Sequence, residues 1–353
     1  MQRPAYELLY EKLRREIVSG GYSFGERLPG KRVIAEQNGV SVITAAHAVE
    51  MLADEGYLTL RERSGCYVSY RASDDFSGVS LPLNSPVSAD APSSADVDGF
   101  PFSILVRAMR RVLAEHGASI LIKSPNPGLV SFRRSLSRYL ARARGIAARP
   151  EQIIIGAGAE YLYGLIVEML GPGNSWAIES PSYEKIEKVY SARGVPLSFL
   201  PLERDGISTA ALRNCSASVL HISPYRSYPS DVTASASKRA EYLRWAESPG
   251  RFIVEDDYES EFCLRRKPME TLFSQSGMNN VVYLNTFSRT VSPAFRVGYM
   301  VLPPALLPRF EERAGFYSCT VPAFEQYVLS SLIDSGEFER HLHRVRRKLR
   351  SGL

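Results

Sequence analysis

The chain has 353 residues, 44% of them hydrophobic and 23% charged, the balance of an ordinary globular protein long enough for about two or three domains. Its formal net charge of +5 does not by itself argue for nucleic acid: residues 1–70 carry nine Lys/Arg against nine Asp/Glu, and residues 337–353 carry six Lys/Arg against Glu337 and Glu339, which reads as a solvated helix face. No apolar run approaches the roughly 18 residues of a membrane span, no basic-then-apolar leader opens the chain, and Cys66, Cys215, Cys263 and Cys319 are scattered, so a cytoplasmic protein with no membrane partner, disulfide or metal site is expected.

Leu9, Leu13 and Ile17 recur every four residues in a segment free of internal Gly and Pro, which predicts an amphipathic helix ending at Gly20-Gly21. Lys31–Gln37 predicts a second short helix closed by Asn38-Gly39. Ser41 is a good N-cap for a third, whose Ala45, Val49 and Leu52 form one apolar stripe before Glu55-Gly56 stops it. Tyr57–Leu60 and Gly65–Val68 then read as strands around a polar turn. Three small helices and a β-hairpin make a winged helix-turn-helix.

At Arg27-Leu-Pro-Gly-Lys-Arg-Val-Ile-Ala35, Gly39-Val-Ser41 and Asp54-Glu-Gly-Tyr-Leu58 this segment resembles the DNA-binding domain of the GntR family, over roughly residues 5–70. The resemblance implies a double-stranded DNA operator as partner. Docking geometry lays the third helix in the major groove, with Ser41, Val42, Ile43 and Thr44 in its leading turn. Arg32 matches a position that meets the DNA backbone in the family, and the neighbouring Lys31 and the wing's Arg61 and Arg63 are phosphate candidates by charge. Gly30 replaces a frequent Ser, and Val42 a frequent Arg. An altered operator or weaker binding is therefore expected, although a methyl-bearing side chain can still meet a thymine methyl.

From Ala72 to Gly99 the composition shifts to Ser, Asp, Pro and Ala, too poor in apolar groups to order alone, so residues 71–99 read as an interdomain linker. A helical run around Leu105–Leu113 follows. Then short apolar runs, Ile153–Ile155, Ser175–Ile178, Val219–Ile222, Phe252–Val254 and Val281–Leu284, each end in polar or glycine-rich residues. Such alternation predicts a mainly parallel sheet covered by helices, with ligand sites where the strands end.

The candidate site residues sit at those ends. Gly158-Ala159-Glu160, between a strand and a helix running to Leu170, offers free N–H groups and a favourable dipole to a phosphate. Such a turn is more often only a tight connection. Tyr183, after Glu179-Ser-Pro-Ser, is either a flat face for a ring or a packing aromatic. Val254–Phe262 places Glu255, Asp256 and Asp257 in succession at a strand end, a cost that asks for a reason.

Taken in order with Asn285–Tyr299, these segments from about Phe100 onward resemble the aminotransferase-like domain of the MocR subfamily of GntR regulators, related to fold type I pyridoxal-phosphate enzymes. The implied architecture is α/β. A winged helix-turn-helix occupies residues 1–70, a linker 71–99, and an aminotransferase-like effector and dimerisation domain 100–353. The resemblance implies pyridoxal phosphate as cofactor, its phosphate at Gly158, Ala159, Glu160, Ser288 and Arg296, its ring at Tyr183, its pyridine nitrogen at Asp256 and its phenolic oxygen at Tyr258. In the family's Ser-Lys-Thr pattern the lysine forms the imine with the cofactor, whereas this chain has Ser288-Arg289-Thr290. A guanidinium is a poor nucleophile near neutral pH, so any bound cofactor is expected to be non-covalent. Arg226 and Ser227 also stand where the family commonly has His and Gln.

Related proteins continue from the helix that Glu337–Arg350 resembles into a small lobe bearing an arginine for a substrate carboxylate. This chain stops at Leu353, so weakened substrate capture is expected. The function implied is a homodimeric transcription regulator that senses an amino acid or a pyridoxal-phosphate-like effector without turning it over. An active pyridoxal-phosphate-dependent aminotransferase with an accessory DNA-binding domain is the alternative from another class, and an inert paralogue is a third.

Overall fold

Leu9, Leu13 and Ile17 line the buried face of the first helix, α1 (Ala5–Val18), in a computed structural model that describes residues 4–61, 64–71, 100–171, 173–262, 270–277 and 279–351. The chain divides into two units, Met1–Pro92 and Ser93–Leu353. Arg63, Cys263 and the expected linker beyond Arg71 lie outside the described residues.

In the first unit, α2 (Lys31–Asn38) ends at Gly39, whose φ of +62° is the left-handed cap that glycine adopts without strain. The third helix, α3 (Val42–Asp54), starts at Ser41, whose Oγ accepts the Thr44 N–H at 3.1 Å. The hairpin pairs β1 (Leu58–Arg61) with β2 (Gly65–Val68) in antiparallel register, Leu58 opposite Val68. Ile34, Ala45, Val49, Leu52, Leu58 and Val68 join the α1 stripe in one core. Every element expected here is present, with ends moved by one or two residues.

The second unit opens with α4 (Phe102–His116) and α5 (Val130–Arg144), followed by β3 (Ile153–Gly156) and α6 (Ala159–Leu170). Next come β4 (Trp176–Ser180), α7 (Glu184–Ser191), β5 (Leu197–Glu203), β6 (Gly206–Ile207), α8 (Thr209–Arg213) and β7 (Val219–Ile222). Then α9 (Ala236–Ala246), β8 (Phe252–Asp256), α10 (Leu272–Gln275), β9 (Val281–Thr286) and β10 (Gly298–Val301) complete the sheet region. Helices α11 (Leu307–Arg313), α12 (Ala323–Asp334) and α13 (Glu337–Ser351) close the unit.

The eight strands are ordered β3-β10-β9-β8-β7-β4-β5-β6. Strands β5, β4, β7, β8 and β9 are mutually parallel, while β10 runs antiparallel between β3 and β9 and β6 antiparallel to β5. Successive residues point to opposite faces: Ile253 and Tyr283 join one apolar cluster with Phe132 and Phe338, and Val254 and Leu284 join another with Leu162 and Ile166. Helices cover both faces, which is why the strands read as continuous apolar runs. The basic segment at the end forms α13, with Phe338, Leu342 and Val345 buried. Among the described residues no helix is long and apolar enough to cross a membrane.

Candidate functional site

The leading turn of α3 is the part of the first unit that a helix-turn-helix presents to bases. Its hydroxyls are already engaged. Ser41 caps the Thr44 amide, and the two side-chain oxygens lie 2.8 Å apart. Val42 and Ile43 are instead exposed, Ile43 by 82%. Arg32 on α2 is exposed and makes no ion pair with a described residue, whereas Lys31 reaches Glu50 at 3.3 Å. In the wing, the Arg61 guanidinium lies 4.6 Å from the centre of the Tyr67 ring.

In the second unit a cavity of about 330 Å³ opens beside the carboxyl ends of β8 and β9, where an open parallel sheet places its ligands. Ala159, Glu160, Tyr183, Asp256, Tyr258, Ser288, Arg289 and Arg296 all line it. Tyr163, Ile186, Ser223, Tyr228 and Thr286 line it as well, and nothing in the sequence marks them. Tyr163 sits in the apolar stripe of α6 and reads as core. Thr286 is the last residue of an apolar strand.

Asp256 ends β8 and is almost fully buried. Tyr163 donates its hydroxyl hydrogen to Asp256 Oδ2, and His221 Nε2 lies 3.5 Å from the same oxygen, with Tyr190 OH 2.6 Å from His221 Nδ1. Burial, with the Asp256 charge next, holds the Tyr163 phenol well above its ordinary pKa, so it stays a donor. Asp256 Oδ1 has no hydrogen-bond partner among the described residues. An unpartnered buried carboxylate oxygen is costly unless a ligand donor meets it.

The acids on either side of Asp256 have other work. Glu255 points to the opposite face, where it accepts the N–H groups of Leu272 and Phe273 at 2.7 and 2.9 Å and the Tyr225 hydroxyl. Burial raises its pKa to about 7 against the pull of those donors. Asp257 pairs with Arg144 at 2.6 Å and accepts from Tyr283 at 2.7 Å. Of three consecutive acids, two hold the fold together and one faces the cavity.

Next to the lining residues Ala159 and Glu160, Gly158, which does not itself line the cavity, caps α6 with φ +87°, and a Cβ there would come within 2.8 Å of Arg296 Nη2. The helix thus begins with its first N–H groups beside a guanidinium, an arrangement suited to a phosphate. Arg296 is also bound to Glu160, Nη2 to Oε2 at 2.5 Å, and Lys185 reaches the other Glu160 oxygen at 2.9 Å. Burial resists the Glu160 charge, but Lys185 and Arg296 together hold its pKa below the usual carboxylate value. Tyr183 meets Tyr228 edge to face at 5.9 Å. Burial, then Glu259, pushes the Tyr258 phenol up.

Arg289 lines the same cavity, and its Nη2 lies 2.5 Å from Glu259 Oε1. Arg226 Nη1 approaches that oxygen at 2.9 Å while its Nε meets Asp231 at 2.8 Å. Ser227 donates to Glu179 Oε2 at 2.6 Å and the Ser223 N–H to the same atom at 3.2 Å. Burial outweighs both donors and raises Glu179 to about 7, with Asp256 adding to the rise. Among the described residues, no lysine lines the cavity.

Comparison with known proteins agrees with both units. Residues 5–68 match the bacterial regulatory proteins of the gntR family. The chain is 30% identical over 357 residues to the uncharacterized HTH-type transcriptional regulator YdeL of Bacillus subtilis, covering 98% of this chain and 77% of that protein. It is 29% identical to the probable rhizopine catabolism regulatory protein MocR of Rhizobium meliloti, over 98% of this chain and 74% of that one. The α-aminoadipate aminotransferase LysN of Thermus thermophilus, solved in complex with N-(5'-phosphopyridoxyl)-L-leucine, superposes with a TM-score of 0.61 at 25% identity, covering 70% of this chain. The chain spans 64% of that enzyme's length. A winged helix-turn-helix, a fold type I aminotransferase-like unit and relatives matched from end to end of this chain together place it in the GntR family of bacterial regulators, among those of the MocR type.

Proposed function

We propose that this cytoplasmic protein is a DNA-binding transcription regulator whose second unit holds a pyridoxal-phosphate-type ligand and responds to it without catalysing transamination. The observation that carries this reading is Arg289, in the cavity wall and tied to Glu259, at the position where the Ser-Lys-Thr pattern would put a lysine. The remaining residues suit the group. Asp256 offers an unpartnered buried oxygen to a pyridine N–H, and Gly158 leaves open the space a side chain would fill beside Arg296. When bound, pyridoxal phosphate supplies a reactive aldehyde and an electron-accepting ring.

Each side chain then has one task. Asp256, held by Tyr163, accepts from the pyridine nitrogen. Arg296, Ser288 and the amides opening α6 at Ala159 and Glu160 hold the phosphate, and Glu160 shares Arg296 with it. Tyr258 donates to the phenolic oxygen, and Tyr183 covers the ring. Arg289 holds a proton too firmly to shuttle it between carbons near neutral pH, so the proton transfers of transamination lack a base. Binding then rests on ionic and hydrogen-bond contacts and reverses on dilution.

We assign a homodimer to the functional form. Phe102, Leu121, Ile122 and Phe316 leave large apolar side chains exposed on the second unit, and two winged helices reading paired half-sites give the contact area that specific recognition needs. Phosphate contacts through Arg32 and the wing make the affinity fall steeply with salt.

The test is a spectral titration with pyridoxal phosphate followed by borohydride reduction and intact-mass measurement. The unmutated chain is expected to bind reversibly and to yield no stable pyridoxyl adduct, and Arg289→Lys to gain both a visible absorption band and the adduct. A stable adduct on any lysine of the unmutated chain, Lys185 included, overturns the non-covalent reading and restores the aminotransferase.

A further inference from the structure

We infer that the leading turn of α3 selects its DNA sequence through thymine methyl groups, read by Ile43 and Val42, with few hydrogen bonds to base edges. This rests on the regulator reading above and names what that reading leaves open, the chemistry of the operator.

A recognition helix normally discriminates bases with donor and acceptor side chains in its first turns. The hydroxyls at the start of α3 are committed elsewhere. The Ser41 and Thr44 hydroxyls bind each other at 2.8 Å while Ser41 caps the helix. One turn further, the exposed His47 lays its ring against Tyr6 with centroids 4.3 Å apart, and Glu50 is bound to Lys31. Moving Ser41 onto a base would uncap the helix at the end that must stay rigid in the groove, and moving Thr44 would break its hydroxyl contact with Ser41.

The side chains that do stand clear are apolar. Ile43 is 82% exposed and Val42 47%, next to each other at the tip of the turn, with the half-buried Ala46 one turn behind. Scattered exposed aliphatic residues need no explanation. Two adjacent branched ones on the turn that enters the groove, with the flanking Ser41 and Thr44 hydroxyls bound to each other, form a small apolar surface facing base edges. Only thymine carries an apolar group there, its C5 methyl. Arg32 on the neighbouring helix, exposed and without an ion pair to a described residue, supplies charge for the backbone and adds no sequence information.

The experiment uses the full chain and a random duplex library, from which bound sequences are selected. The selected duplex is then remade with each thymine replaced singly by deoxyuridine, which deletes the methyl and leaves every hydrogen-bonding edge intact. At one or two thymines per half-site, deoxyuridine should weaken binding about fourfold, the factor expected for one lost methyl contact. Replacing the cytosine of an unfavourable C·G pair by 5-methylcytosine at those positions should recover part of the affinity. Ile43→Ala, at a site too exposed to affect folding, should erase the difference between thymine and deoxyuridine there. Indifference to deoxyuridine at every position overturns the inference, as does Ile43→Ala that keeps full discrimination. In either case salt-dependent binding to unrelated duplexes would still stand as evidence for the regulator. Its absence, with no duplex enriched, would remove both readings.

Discussion

Asp256, Glu255 and Asp257 show how one residue's meaning depends on which side of a strand it faces. In the sequence they are three acids in a row. Folded, of these three only Asp256 keeps an oxygen without a partner among the described residues, and the period-2 geometry of β8 sends Glu255 to the amides of α10. The site residues that carry a backbone signature, Gly158 before a helix and Asp256 at a strand end, were legible. Tyr163 and His221 were not, because a buried tyrosine or histidine inside an apolar element looks the same whether it packs or positions. Glu255 gives a testable consequence. Its pKa rises from 4.5 to about 7 on folding, so the folded chain holds the proton that the unfolded chain releases. Stability from this group is complete below about pH 4.5 and is lost as pH rises to about 7, by about 3 kcal/mol at full displacement. Glu255→Gln cannot ionise, so its stability relative to the parent should improve across that window. Urea unfolding of both proteins from pH 4.5 to 7.5 checks it, and a variant whose stability relative to the parent stays constant or falls with rising pH would refute the assignment.

Among elements, those read from sequence carry either a clean apolar repeat, as in α1, α3, α6 and the central strands, or strong end signals, as in α2 and the wing hairpin. Helix α5 escaped. Its sequence, Val-Ser-Phe-Arg-Arg-Ser-Leu-Ser-Arg-Tyr-Leu-Ala-Arg-Ala-Arg, looks like a polar surface helix, yet Arg133, Ser135 and Arg144 are buried with Phe132, Leu136 and Leu140. Strand β10 escaped as well, because its four residues, Gly298-Tyr-Met-Val301, show no alternation and its antiparallel pairing with β3 is fixed only by the assembled sheet. The buried charge that hides α5 also anchors it. Arg144 reaches across to Asp257 just beyond β8 at 2.6 Å, both side chains being almost wholly inaccessible. Removing one partner of a buried pair leaves an uncompensated charge and typically costs about 3–5 kcal/mol. Arg144→Met should therefore destabilise the second unit by that order in urea unfolding. Adding Asp257→Asn should restore a large part of the loss, a coupling that two independent sites would not show. A single variant within about 1 kcal/mol of the parent would mean the pair is not holding α5 to the sheet.

At the scale of the whole chain, the organisation was readable because each unit carries a dense local signature, a helix-turn-helix stripe in one and glycine, acid and arginine at strand ends in the other. In the proposed function, what joins them is a free energy, which no local pattern encodes. A sensor must bind its ligand differently when operator DNA is bound, and linkage makes that difference reciprocal. Pyridoxal phosphate should change the affinity for a selected duplex by a factor between about five and 150, the usual range for such coupling. The duplex should change the affinity for pyridoxal phosphate by the same factor. Fluorescence anisotropy of a labelled duplex measures the first quantity and spectral titration with saturating duplex the second. Asp256→Asn supplies the control at the ligand end, since an amide offers the pyridine N–H no charged acceptor and should remove the response of DNA binding to the ligand. Two factors that disagree would show that the ligand acts outside the cavity or on a different assembly state. Tight ligand binding with no change in DNA affinity would mean that the cavity persists without a signal to send, and would assign the protein to the inert class.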